Sequence, residues 1–139
     1  MPGLHTLGAL AAAFLLTAPA QAQRVRDRVA TRSATAGQEM RAGHFEITGG
    51  RGCPNNAGVP KITVIQPPAH GVAAVREGAA VPERALLGGE DPLCQGRELR
   101  GTHIYYTPAY GYVGDDVLAF QVVFPNGVLN TVMTVHVHN

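Results

Sequence analysis

Apolar and polar residues alternate most regularly between Thr102 and Val137, and that stretch predicts three β-strands joined by two turns. Between Val117 and Phe124, the side chains of Leu118, Phe120, Val122 and Phe124 share one face at period two. Val117, Ala119, Gln121 and Val123 form the other face, so both faces are largely apolar and the segment reads as a central strand. Pro125-Asn126-Gly127 follows, and Asn-Gly between two alternating runs predicts a hairpin with positive φ at the turn. The returning strand sets Leu129, Met133, Val135 and Val137 on one face against Asn130, Val132, Thr134 and His136 on the other. Upstream, Thr102 to Thr107 is β-branched and aromatic and stops at Pro108. Gly111 and Gly114 permit the tight crossing to the next strand, and Asp116 at that strand's entrance is a candidate acceptor for nearby backbone N–H groups.

Earlier in the chain the pattern is weaker. Phe45 and Ile47 mark a short first strand, and residues 61–66 (KITVIQ) a second, closed by Pro67-Pro68. Residues 71–76 form a third, and residues 79–87 a further candidate that Pro82 would push to an edge. The runs 49–58 and 88–100 read as loops. With the three strands of the C-terminal stretch the count is seven, which suits a β-sandwich. No internal repeat is present, so the chain is one module.

The pattern Tyr106-x-Pro108, Gly111-Tyr112-x-Gly114-x-Asp116-x-Leu118-x-Phe120, a hairpin and a closing valine-rich strand resembles the bacterial Ig-like, cadherin-like repeat domains of exported proteins. Pro68-Ala69-His70-Gly71-Val72 is similar to the motif that opens the same repeat. The resemblance spans roughly residues 62–137 and implies an immunoglobulin-like β-sandwich of about seven strands. It also implies a structural, turn-stabilising role for Asp116, with Gly111 and Gly114, and for His70. The chain differs from the family in having Leu118 and Phe120 at the usual Phe and Tyr positions, and in a longer segment between Val75 and Gly101. The acidic interdomain motifs of the calcium-binding relatives are lacking, so no calcium site, and no other cofactor, is expected.

The domain organisation expected is a signal peptide over residues 1–22, a flexible basic lead over 23–43 and the sandwich over 44–139. Residues 7–16 (LGALAAAFLL) are the apolar run of a secretory signal, and Ala20-x-Ala22 the cleavage site. That run falls short of the ~20 apolar residues a membrane span requires, so no integral membrane segment is expected after cleavage. The location is then periplasmic or secreted. Residues 23–43 hold Arg24, Arg26, Arg28, Arg32 and Arg41 with few large hydrophobes, which reads as a solvated tail or, alternatively, a tether to an acidic surface.

Composition narrows the function without naming it. A net charge of +1 gives no general attraction to nucleic acid. One serine (Ser33) and one lysine (Lys61) leave few candidates for nucleophilic catalysis. The glycine-rich loop at 49–58 lacks the lysine and following helix of a phosphate-binding loop. Cys53 and Cys94 are the only cysteines; in an exported chain they read as one structural disulfide joining two loops. Their spacing is not that of a redox pair.

Three candidate sites remain. Tyr105, Tyr110, Arg97 and Arg100 are candidates for a binding patch for a glycan or protein, set against an aromatic core role for the tyrosines. Asp115 and Asp116 are adjacent, so on a strand they face opposite ways and do not share a substrate. His136 and His138 form a His-x-His pair that points one way and suits zinc or copper if a third ligand such as His44, His70 or His103 joins them; otherwise they are solvent-facing. The sequence therefore predicts a non-enzymatic binding or structural module for another protein or an envelope component, its contact surface in the segment between Val75 and Gly101. The alternative is a periplasmic metal-binding protein using the C-terminal histidines.

Overall fold

The computed structural model describes residues 23–49, 51–82 and 92–139. Among these residues the chain forms seven strands: β1 (Arg24–Thr35), β2 (Met40–Glu46), β3 (Lys61–Gln66), β4 (Gly71–Ala80), β5 (Leu99–Pro108), β6 (Gly114–Phe124) and β7 (Gly127–His138). One 3-10 turn, Pro92–Cys94, precedes β5. Two sheets stack as a sandwich, one ordered β1-β7-β6-β3 and the other β2-β5-β4. All strand pairs are antiparallel except β1 with β7, which run parallel from Arg24↔Gly127 to Thr35↔His138.

The core lies where the inward faces meet. β6 contributes Leu118, Phe120, Val122 and Phe124, and β7 contributes Leu129, Met133, Val135 and Val137, as the alternation predicts. From the opposite sheet come Phe45, Ile104 and Tyr106. Phe45 and Phe120 meet edge-to-face across the two layers, ring centroids 5.9 Å apart, a favoured aromatic geometry. β6 is central in its sheet, flanked by β7 and β3.

Four expectations are corrected. Residues 23–43 are not a flexible lead: β1 occupies most of them and β2 begins at Met40, so the sandwich starts at Arg24 rather than His44. The strand lacks an apolar alternation because its two core-facing residues, Ala30 and Ala34, are small, and arginines share their side at this sheet edge. Strand pairing to β7 supplies the order that side-chain hydrophobicity does not. Second, Ala79 and Ala80 end β4 rather than opening a new strand; the rest of that candidate, from residue 83 onward, lies outside the described residues. Third, β4 runs to Ala80 and β5 begins at Leu99, so both ends of the expected insert between Val75 and Gly101 belong to strands. Fourth, the β6–β7 turn is Pro125–Asn126, and Gly127 already belongs to β7 opposite Phe124. Glycine is needed there for close approach: a Cβ would sit 2.5 Å from the Arg24 carbonyl oxygen of β1. The expected signal peptide lies outside the described residues.

Candidate functional site

At one end of the sandwich the motif residues converge on a single carboxylate. Asp116 is buried at the start of β6 and accepts four hydrogen bonds. The backbone N–H groups of Ala69 and Val117 donate to Oδ1, both at 2.9 Å. The His70 N–H donates to Oδ2 at 2.9 Å, and the Tyr106 hydroxyl donates to the same oxygen at 2.8 Å. The β3–β4 loop, β5 and β6 are thereby tied across the two sheets. Burial acts to raise the Asp116 carboxyl, but the donors Tyr106, His70, Ala69 and Val117 together outweigh it and hold the group below its ordinary value. Burial and the Asp116 carboxylate push the Tyr106 hydroxyl well above the usual phenol range.

The surrounding residues brace this knot. The His70 carbonyl accepts from the Ala109 N–H at 2.8 Å, and the His70 ring stacks on Tyr112 with centroids 4.1 Å apart. Gly71 admits the Tyr106 ring, since a Cβ there would lie 2.6 Å from both that ring and the Thr107 carbonyl. Gly111 and Gly114 both take positive φ, at 76° and 137°. Both oxygens of Asp116 are engaged by donors of the fold.

The opposite end carries the segment that follows β2 and the segment that leads into β5. The disulfide Cys53–Cys94 joins them, with Cα atoms 5.2 Å apart and a sequence separation of 41. The Asn55 side chain acts as a short stretch of strand: its amide donates to the Ile47 and Arg100 carbonyls, at 2.9 and 3.0 Å, and its oxygen accepts the Arg100 N–H at 2.6 Å. Arg97 donates to the Gly52 carbonyl at 3.1 Å. Cys53 is buried in a left-handed conformation, φ 55°, while Arg51 and Arg97 are exposed beside it.

The four candidate patch residues do not share a surface. Arg97 and Arg100 lie at the disulfide end, where Arg100 pairs with Glu77 at 3.3 Å. Tyr110, 96% exposed, stands beyond the other end of β5, which runs about 26 Å from Arg100 to Pro108 by strand rise. Tyr105 lies on the outer face of the three-stranded sheet, under the Arg76 guanidinium at 3.8 Å from its ring centroid; Arg76 in turn pairs with Glu39.

That same outer face holds a feature the sequence did not reveal. His44 and His103 are cross-strand partners on β2 and β5, packed edge to face with centroids 4.5 Å apart, and both side chains are buried. Each ring lies over a glycine of the next strand, His44 over Gly101 and His103 over Gly78. His103 Nδ1 is hydrogen-bonded to the Tyr105 hydroxyl at 2.9 Å. Burial, with the charges of Arg41 and Arg76, lowers the His103 ring below its ordinary value against a raising contact from the Gly78 backbone. The glycines inside β4 and β5 were the available signal, because an in-strand glycine often marks a place where something packs closely.

His136 and His138 are both exposed on the outer face of the four-stranded sheet, while Val135 and Val137 beside them are buried. Asp115, exposed and pointing away from its neighbour Asp116, meets His136 Nδ1 at 2.5 Å. Neither His44, His70 nor His103 joins the pair: among the described residues no group of three or more His, Cys, Asp or Glu side chains converges as a metal site. No helix among them is long and apolar enough to cross a membrane. The disulfide is consistent with an oxidising, extracytoplasmic location. Comparison with known proteins finds no protein-family model that matches the chain and no curated protein that matches it.

Proposed function

We propose that the chain is an exported, non-enzymatic module of immunoglobulin-like type that binds another protein or an envelope component through its disulfide-stapled end. The strand order supports the fold type: β2-β5-β4 and β3-β6-β7 correspond to the B-E-D and C-F-G groups of an Ig sandwich. Here the first strand joins the last in parallel instead of lying beside the second. The Tyr106–Asp116 bond fastens a sandwich corner, while the Cys53–Cys94 bridge joins two loops rather than two core strands.

One observation carries the functional reading. The segment after β2 and the segment before β5 meet at the same end and are cross-linked there, with Asn55 and Arg97 pinning the crossing. Loops on a rigid scaffold are where binding residues concentrate, and loops ordered in advance bind with less entropic cost. The test is capture from envelope extract with the oxidised protein. Three forms are compared: the native chain, one with residues 83–91 replaced by a short Gly-Ser linker and Arg51→Glu with Arg97→Glu, and a Tyr110→Ala control at the other end. The reading expects a partner retained by the native and control forms and lost by the loop-end variant. Equal recovery by all three contradicts it.

A further inference from the structure

Both C-terminal histidines have their Nδ1 atoms committed to groups that only accept hydrogen bonds. His136 Nδ1 meets the Asp115 carboxylate, and His138 Nδ1 meets the Asn139 backbone oxygen at 3.1 Å. A carboxylate and a carbonyl cannot donate, so in each neutral ring the proton resides on Nδ1 and the lone pair on Nε2. That is the arrangement that prepares an imidazole for metal: the outer partner fixes the tautomer and aims the ring, and Nε2 is the ligand. The two rings stand at alternate positions of one strand, on one face and both exposed, about 7 Å apart along the strand. Each needs only to bring Nε2 to about 2.0–2.1 Å from a shared ion.

From this geometry we propose that His136 and His138 form a two-histidine chelate for a divalent late transition-metal ion, with Asp115 as the positioning residue for His136. Imidazole nitrogens suit zinc and copper, and copper(II) binds such ligands more tightly than zinc in the usual order of stabilities. The site supplies two ligands, and the remaining coordination positions face solvent, where water completes the shell. Ser33 and Thr35 lie directly across on β1, opposite His136 and His138, and their hydroxyls can hydrogen-bond that water. The inference is independent of the loop-end reading, because the chelate lies at the other end of the sandwich from Cys53–Cys94.

The test is a titration of the untagged protein with zinc chloride, followed by nitrogen NMR of the histidine rings. The proposal expects the Nε2 signals of His136 and His138 to shift together and saturate at one zinc per chain, with both Nδ1 atoms still protonated. His136→Ala and His138→Ala each weaken binding at least about tenfold, since a chelate loses its second contact at high effective concentration. His70→Ala, whose ring stacks on Tyr112, leaves the affinity unchanged. Asp115→Ala weakens zinc about tenfold and, before any metal is added, lets the His136 proton redistribute between its two nitrogens, a spectral change that a merely structural role would not produce. Unmoved His136 and His138 signals at two equivalents of zinc, or binding that survives both alanine variants, overturns the proposal.

Discussion

The Tyr106 hydroxyl of β5 donates to the Asp116 carboxylate of β6 at 2.8 Å, and the bond spans the two sheets. Both residues are buried. Tyr106→Phe removes that donor while leaving the ring, and the His70 N–H still serves the same oxygen. A single hydrogen bond to a charged group is worth roughly 2 kcal/mol. Urea denaturation of the Phe variant is therefore expected to show a loss of about that size with an unchanged slope.

Acid weakens this fold in two stages. His103 is held below its ordinary value, so between that lowered value and about 6.5 the unfolded chain binds a proton that the folded chain refuses. Its contribution is present above about pH 6.5 and is lost as pH falls below it. The facing groups are Arg41, His44 and Glu46 of β2, Arg76 of β4 and Tyr105 of its own strand. Asp116 is also lowered, so its contribution is present above about pH 4 and is lost on further acidification. Denaturation midpoints measured from pH 8 to pH 3 should fall in both windows; His103→Gln should flatten the upper one and Asp116→Asn the lower.

The bridge should contribute strongly. Closing a loop of 41 residues is worth about 4 kcal/mol in the chain-entropy model. The paired variant Cys53→Ala, Cys94→Ala is expected to lose about that much, read from urea midpoints against the oxidised protein. Little change would mean that Asn55 and Arg97 hold the loops without it.

Two glycines give opposite expectations. A Cβ on Gly101 would run into the Phe45 carbonyl and the His44 ring, whereas Gly49 has open space around it. Gly101→Ala should cost roughly 2 kcal/mol or more by forcing strands apart, and Gly49→Ala should stay within about 0.5 kcal/mol. Thermal melts of the two variants check the contrast.

The sandwich was legible where large apolar residues alternate with smaller or polar ones. Leu118 to Phe124 and Leu129 to Val137 announced β6, β7 and their inward faces. The disulfide was legible because the chain's two cysteines leave one pairing. β1 was not, because its order comes from backbone pairing to β7 while its side chains are mostly arginine, threonine and small residues. Arg97 and Arg100 lie far from Tyr110 because nearness in sequence along an extended strand is distance in space. The His44–His103 pair was invisible because strand register, which alone brings residues 44 and 103 together, is not written in either residue's neighbourhood.

One carboxylate fastens the two layers, and its neighbour provides the control. Asp115 and Asp116 are adjacent, but one is exposed against His136 and the other buried under four donors. Equilibrium urea unfolding of Asp115→Ala and Asp116→Ala, side by side at pH 7, is the direct measurement. The expected result is a change within about 0.5 kcal/mol for Asp115→Ala and a loss of about 3 kcal/mol or more for Asp116→Ala. Equal, small losses for both would contradict it.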